Sequence, residues 1–473
     1  MRYLAIVFLL TCICSCRRDY LDTPPALVVV RQQYVRDLAS CQDVLNGIYA
    51  VLARDFYDGL HHNIYPDLIA DNVKPYPGSV VYSFQYSWAQ LANEDNSLTP
   101  GESSRNINSL YVSGYEVIRN CSYLLENIDR FRNEDPEKAD NMKGQCLGLR
   151  ALVHHDLVKA FAQPYFFSYN GAHPGIAYVT TWDYKRPVSR ISVAEVYANI
   201  INDLEAALPL LSGTSSNKNA VSELFVKAAL SRVHLYKGDY LSAKNMARLV
   251  ISEVPLMSTD HYPSKLYTLE DGEALLQLAP SQVSSANTYF SGYYYRMQPH
   301  PLFLASEDIA SLLNENVNDK RGNWIKKTDN GWRITKFPVN KAVGIADSTR
   351  SYYDDVIRSS EMYLNAAEAY AQLGMQDSAR FYLDAIRQRA DPAQPAVTAT
   401  GDALLDSIYK ERRKEFAFEG HRMYDLLRIG RGVDRIDAPV PAASSLPYPS
   451  DKAVAPIPRL DVSLSGIPQN SGY

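Results

Sequence analysis

The sequence predicts a mostly α fold of tetratricopeptide-repeat-like helical hairpins, interrupted by two large irregular insertions carrying short strands. Three observations lead there. Apolar residues recur at helical spacing through most of the chain; within 358–390, Met362, Ala366, Ala369, Tyr370 and Leu373 keep that spacing up to Gly374. Small residues stand seven positions before and five positions after Gly374, at Ala367 and Ala379, and the same offsets recur around Gly238, at Ser231 and Ala243. These are the positions where the two antiparallel helices of such a repeat approach closely. Helical pattern lapses over about 56–104, which is rich in Tyr, Pro, Gly and Asn, and over about 257–353, which gives few helical cues.

In chain order, Arg2, the apolar run Tyr3 to Leu10 and the small-residue tail TCICSC read as a secretory signal over 1–15, too short to span a bilayer. Residues 16–30 form a polar, proline-ended tether, and 31–473 a single domain. A helix is expected over 40–54, with Ser40 or Asp43 near its start and Val44, Ile48, Val51 and Leu52 on one face. After the first insertion two long helices follow, SLYVSGYEVIRNCSYLLENIDRF and EKADNMKGQCLGLRALVHHDLVKAF, the second stopped by Pro164. A further helix starts at Ser192 as N-cap with Glu195 at N3. The pairs around Gly238 and Gly374 are two visible hairpins, and two more are expected between Ser109 and Leu211. Stacking such pairs buries a face that no single pair can bury.

The segment ERRKEFAFEGHRMYDLLR must bury Phe416, Phe418, Tyr424 and Leu427 among dense charge, with Gly420 as the turn between helices. Its charges read as a solvated or ion-paired face, Asp425 being three residues from both Arg422 and Arg428. Beyond Gly430 the chain is Pro-rich and irregular.

With 473 residues, 46% hydrophobic and 21% charged, the chain can bury a sizeable core. A net charge of −5 gives no basic field, so nucleic acid is not an expected partner. The 34 tyrosines, against 4 Trp and 14 Phe, suit a half-wet ligand surface as well as helix packing. Cys12 and Cys14 would leave with the signal; Cys41, Cys121 and Cys146 are too scattered for a disulfide framework and read as buried apolar residues. No HExxH, CxxC, GxSxG, phosphate loop or dinucleotide fingerprint occurs, and no catalytic, metal or cofactor set is expected. The pairs His61-His62 and His154-His155 read as surface or packing residues; adjacent helical side chains diverge by about 100°, so His154 and His155 do not easily chelate one ion. His421 reads as structural.

The ordered set RSSEMYLNAAEAYAQLG, ERRKEFAFEGHRMYDLLR and the final IPQNSGY, with YEVIRNCSYLL and GIAYV upstream, closely resembles the SusD/RagB family. These are nutrient-binding lipoproteins of Gram-negative outer membranes. The segment Ile13-Cys14-Ser15-Cys16 resembles a lipoprotein signal in which Cys16 is acylated; the alternative is an ordinary signal cut near Ser15, leaving Cys16 free. The resemblance implies a cell-surface, lipid-anchored binding protein that passes oligosaccharide to a SusC-type TonB-dependent outer-membrane transporter. Peptide cargo in the same role, or a lipoprotein glycosidase with a carboxylate pair, are the alternatives. It also implies that ligand specificity lies in the insertions. A sugar site needs flat aromatic surfaces edged by polar groups. The expected face is therefore Tyr82, Tyr86 and Trp88 from the first insertion with Tyr293, Tyr295 and Arg296 from the second, Asp71 and Asn72 adding polar contacts. Alternation along extended chain puts the aromatics of each group on one face, with packing against the helices as the other reading for 82–88.

Overall fold

The computed structural model describes residues 34–57, 59–92, 107–183, 185–211, 213, 217–279, 291–296, 300–338 and 352–473. The expected signal, Cys16 and the tether lie outside the described residues. Helix α1 (Leu38–Val51) starts at Asp37 rather than at Ser40 or Asp43: the Asp37 carboxylate accepts from the Ser40 amide while the Ser40 hydroxyl closes the reciprocal half of a capping box. The helical path does not stop at Phe56 as expected but continues through two wide turns, Leu52–Phe56 and Gly59–Ile64, into α2 (Tyr65–Leu68). The short strand β1 (Val73–Pro75) and the turn α3 (Ser83–Tyr86) complete the described part of the first insertion.

The scaffold then runs as a stack. Helix α4 (Asn108–Asn127) packs on α5 (Pro136–Phe161), which packs on α6 (Val193–Ala207), and α6 packs on α7 (Glu223–Lys237). Ser192 and Glu195 form the expected capping box at the start of α6. Helix α7 turns through Gly238, at φ +79°, into α8 (Tyr240–Glu253). At the close approach of this pair the Ser231 hydroxyl donates to the Ala243 carbonyl at 3.0 Å, so the small residue serves proximity and a hydrogen bond together. Cys41, Cys121 and Cys146 are buried free thiols.

The second insertion contributes β2 (Ala274–Leu278), α9 (Ser291–Arg296), β3 (Phe303–Ala305), α10 (Glu307–Leu313), β4 (Ile325–Thr328) and β5 (Gly331–Ile334). Strand β6 (Asp354–Arg358) pairs antiparallel with β2 and leads directly into α11 (Ser359–Gln372). Helix α11 packs on both α8 and α12 (Gln376–Ala390), and Ala367 and Ala379 are fully buried. The chain ends with α13 (Gly401–Glu415), α14 (Arg422–Arg428), the paired strands β7 (Val433–Asp434) and β8 (Ser445–Leu446), and a last helix, α15 (Arg459–Ser465). Gly420, at φ +78°, turns the chain between α13 and α14, and a Cβ there would stand 2.8 Å from the His62 carbonyl oxygen.

The 411–419 charges are ion-paired as expected, but they are buried and not solvated. Glu415, fully buried, accepts Arg358 Nη1 at 2.5 Å and Arg389 Nη2 at 2.6 Å on one oxygen, and Tyr262 Oη at 3.0 Å and Arg321 Nη1 at 3.3 Å on the other. Glu419 pairs with Lys336 and with Arg358, and Glu273 with Arg389. Burial alone would raise Glu415, but the surrounding guanidiniums hold its carboxyl well below the usual range. This network joins the second insertion, through Glu273, Arg321 and Lys336, to the hairpin helices. Asp425 pairs with Arg428 as expected, while its other partner is Arg412; Arg422 turns away to Asp71.

Candidate functional site where the insertions meet

The two insertions join in one four-stranded sheet of order β1-β3-β5-β4. Strand β1 pairs antiparallel with β3, Val73 opposite Ala305 and Pro75 opposite Phe303, and Ala305 is in turn opposite Trp332 of β5. Just past β1, the Tyr76 ring stacks on His300, which precedes β3, with centroids 5.1 Å apart and planes 19° apart. Tyr76 Oη lies 3.1 Å from His300 Nδ1, Tyr76 is half-buried and His300 exposed, and each insertion supplies one ring. On β5 the half-buried Trp332 is covered by Lys327 at 4.8 Å and donates Nε1–H to Glu307.

Of the aromatic residues expected to form the ligand face, Tyr82, Tyr86, Trp88 and Tyr295 are core residues. Residues 82–88 are a helical turn and not an extended strand, entered and left by Tyr82 and Trp88 in left-handed conformation, so alternation does not hold. Tyr82, Tyr86 and Trp88 are all buried. Arg435 lies over the rings of Tyr86 at 3.9 Å and Trp88 at 4.2 Å while donating to the carbonyls of Ala70, Leu68 and Tyr86. Trp88 Nε1–H is satisfied by the Ile69 carbonyl at 2.9 Å. These side chains are core because the turn curls inward onto α2, which is the packing reading realised. The stretch expected as extended around Tyr293 is likewise helical, as α9. Tyr295 is fully buried between Phe337 (6.0 Å, stacked) and Phe418 (6.1 Å, edge-on). Tyr293 and Arg296 also lie on α9, and their side chains are outside the described residues.

Asp71 and Asn72 are brought to a junction, but mostly beneath its surface. The Asp71 carboxylate receives Arg422 Nε and Nη2 at 2.6 and 2.8 Å, with Arg413 at 3.3 Å; Asn72 donates to Asp67 and accepts Arg413 Nε at 2.9 Å. Burial pushes against ionisation of Asp71, yet the two guanidiniums keep its carboxyl below the usual range. A cleft of about 730 Å³ opens over this junction, lined by Asp71, Asp308 of α10, Tyr409, Arg413 and Arg422, with Arg431 and Gly432 from the loop before β7. Arg431 lies over the Tyr409 ring at 5.4 Å and pairs with Asp406. Acid and base alternate around the rim, as suits a hydroxyl-rich ligand better than one of a single charge.

The two halves of the chain match two family models: residues 19–235 the one described as "Starch-binding associating with outer membrane", and residues 285–459 the one described as "SusD family". The chain belongs to the SusD/RagB family. It is similar to SusD-like protein P25 of Formosa agariphila, 21% identical over 496 residues, which span 90% of this chain and 89% of that protein. Its fold is that of a SusD superfamily protein from Bacteroides thetaiotaomicron, with TM-score 0.82, 26% identity and coverage of 92% of this chain and 100% of the other. A SusD superfamily protein from Bacteroides vulgatus gives TM-score 0.81 at 25% identity, covering 93% and 99%. The helical-hairpin fold expected from the sequence is thus the fold of this SusD/RagB protein.

Sequence reading missed Tyr76, His300 and Trp332. A turn-forming KPYPGS and the DNGW hairpin were the available signals for Tyr76 and Trp332, but only strand pairing brings them together. His154, half of one suspicious pair, is a packing residue: it stacks on Tyr178 at 3.8 Å, and burial pushes its imidazole down to about 3. His421 stacks on Phe416 at 4.6 Å. Among the described residues no group of three His, Cys, Asp or Glu is placed to hold a metal ion, and no helix is long and apolar enough to cross a membrane.

Proposed function

We propose that this SusD/RagB protein is a cell-surface lipoprotein, anchored through Cys16, that captures oligosaccharide and passes it to a SusC-type TonB-dependent transporter. The observation that carries the ligand part is the meeting of the two insertions, which sets the half-buried Tyr76 ring and the exposed His300 ring in one stack at the surface. Flat rings edged by polar groups are what a sugar's C–H face and hydroxyls need. The match of residues 19–235 to a family described as starch-binding and associating with the outer membrane supports the same reading. The transporter partnership follows from the family and from the stacked helices, which offer an extended docking surface. Binding without turnover fits the junction cleft, where Asp71 and Asp308 are held by guanidiniums instead of standing free for acid or base work.

Calorimetric titration of purified protein with a panel of glycans and peptides tests this. One glycan should bind saturably, and Tyr76→Ala should weaken it by about tenfold to a hundredfold at unchanged melting temperature. An unaltered affinity in Tyr76→Ala, with loss in Tyr409→Ala, would move the ligand to the 730 Å³ cleft. Peptides binding where no glycan does would change the cargo, and shortened glycan after prolonged incubation would make the protein an enzyme.

A further inference from the structure

A second cleft, of about 370 Å³, opens between α4, the residues Ala177, Val179 and Val188, and α15. That is within the size range of small-molecule sites. It shares no lining residue with the Tyr76–His300 face or the charged junction. One wall is apolar, formed by Tyr115, Val179 and Val188. Tyr115 Oη is already committed to the Ala177 carbonyl at 2.8 Å, so its ring, not its hydroxyl, faces a ligand. The charged groups sit on different elements: Arg119 lies one helical turn beyond Tyr115 on α4, and Asp461 lies on α15. Glu116, exposed on α4, adds a second carboxylate at the mouth.

Arg119 differs from the buried arginines that hold carboxylates. Arg150, Arg232, Arg358, Arg412 and Arg428 each hold a carboxylate within 3 Å. Arg119, half-buried beside a cleft, forms no ion pair or side-chain hydrogen bond among the described residues. Asp461 feels its charge across the gap without closing on it; burial raises the Asp461 carboxyl and Arg119 opposes that rise. The cleft therefore presents an unclosed cation, the Asp461 carboxylate on another element, a second carboxylate at the mouth and an apolar wall. A ligand of one charge would satisfy one side and leave the other desolvated, and a single carboxylate would also meet two like charges. A ligand carrying both charges close together satisfies both sides.

We propose that this cleft binds a zwitterion with an apolar side chain, an α-amino acid or dipeptide, its carboxylate on Arg119, its ammonium on Asp461 and its side chain against Tyr115 and Val179. The site is separate from the proposed glycan face, and neither reading depends on the other. Titration of detergent-solubilised full-length protein with L-leucyl-L-leucine and L-phenylalanine should show saturable binding. Capping the amine by acetylation or the carboxylate as an amide should each weaken it by at least about tenfold, as should Arg119→Gln and Asp461→Asn, while Tyr76→Ala leaves it unchanged. The capped ligands need no protein variant, so the test stands even where a substitution impairs folding. Absence of saturable binding, equal binding of the doubly capped ligand, or an affinity unmoved by Arg119→Gln at unchanged melting temperature would overturn the proposal. A disaccharide that binds here in place of the zwitterion, and is lost in Arg119→Gln, would overturn it as well.

Discussion

Replacing Glu415 by glutamine should be among the most damaging changes of a single charge in this protein. The side chain is fully buried and receives three guanidiniums and the Tyr262 hydroxyl, so Glu415→Gln keeps the shape and removes the charge. Arg321, Arg358 and Arg389 keep other carboxylates (Asp319, Glu419 and Glu273), which limits the loss, but the cluster is left with an uncompensated buried cation. Breaking a buried pair in this way costs about 3–5 kcal/mol. At about 2.1 cal/mol/K of unfolding entropy per residue, a chain of 473 residues has ΔS near 1 kcal/mol/K, so the melting temperature should fall by about 3–5 °C. The exposed pair of Arg132 with Asp140 is the control: Arg132→Gln should leave the melting temperature close to that of the wild type, because solvent screens the pair. Differential scanning fluorimetry at pH 7 measures both. If Glu415→Gln melts with Arg132→Gln, the buried network does not hold the second insertion on the hairpins.

Burial pushes the Asp354 and Asp67 carboxyls up to about 7, despite hydrogen bonds from Asn63 and Asn72. Their contribution to stability is full below the unfolded value near 3.8 and is lost as pH rises through about 7; Asp354→Asn should therefore remove about 2–3 kcal/mol of the decline between pH 5 and 8, and an unchanged pH slope would refute the assignment. Trp88→Ala should lower stability by about 3–5 kcal/mol while folded protein keeps its glycan affinity; lost affinity at an unchanged melting temperature would return Trp88 to the ligand face. Cys16→Ala should appear in the soluble fraction, because two acyl chains give stable anchoring and their loss removes it. Retention in membranes after a high-salt wash would exclude the anchor, and affinity-tagged wild type that never brings down a transporter would count against the partner.

The helical scaffold was legible because helix signals are local. Gly238 and Gly374 at the turns, small residues at fixed offsets and the Ser192–Glu195 box each act within a few residues, and each stands where the sequence places it. The family signature was legible for the same reason, being a set of short contiguous motifs in a fixed order. The site was not legible, because the property that decides it is non-local. Alternation in 82–88 is compatible with a strand or with a buried turn, and the choice was made by Arg435, some 350 residues away, whose guanidinium takes up the carbonyls of α2 and the faces of Tyr86 and Trp88. The charges of 411–419 look like a solvated face until Arg358, Arg389 and Arg321 arrive from three other elements. Tyr76 and His300 stand 224 positions apart and become neighbours only through the pairing of β1 with β3. The sequence by itself determined the helices, their turns and their family; the tertiary structure decided which aromatics are core and which meet solvent, since burial depends on what the rest of the chain brings to each side chain.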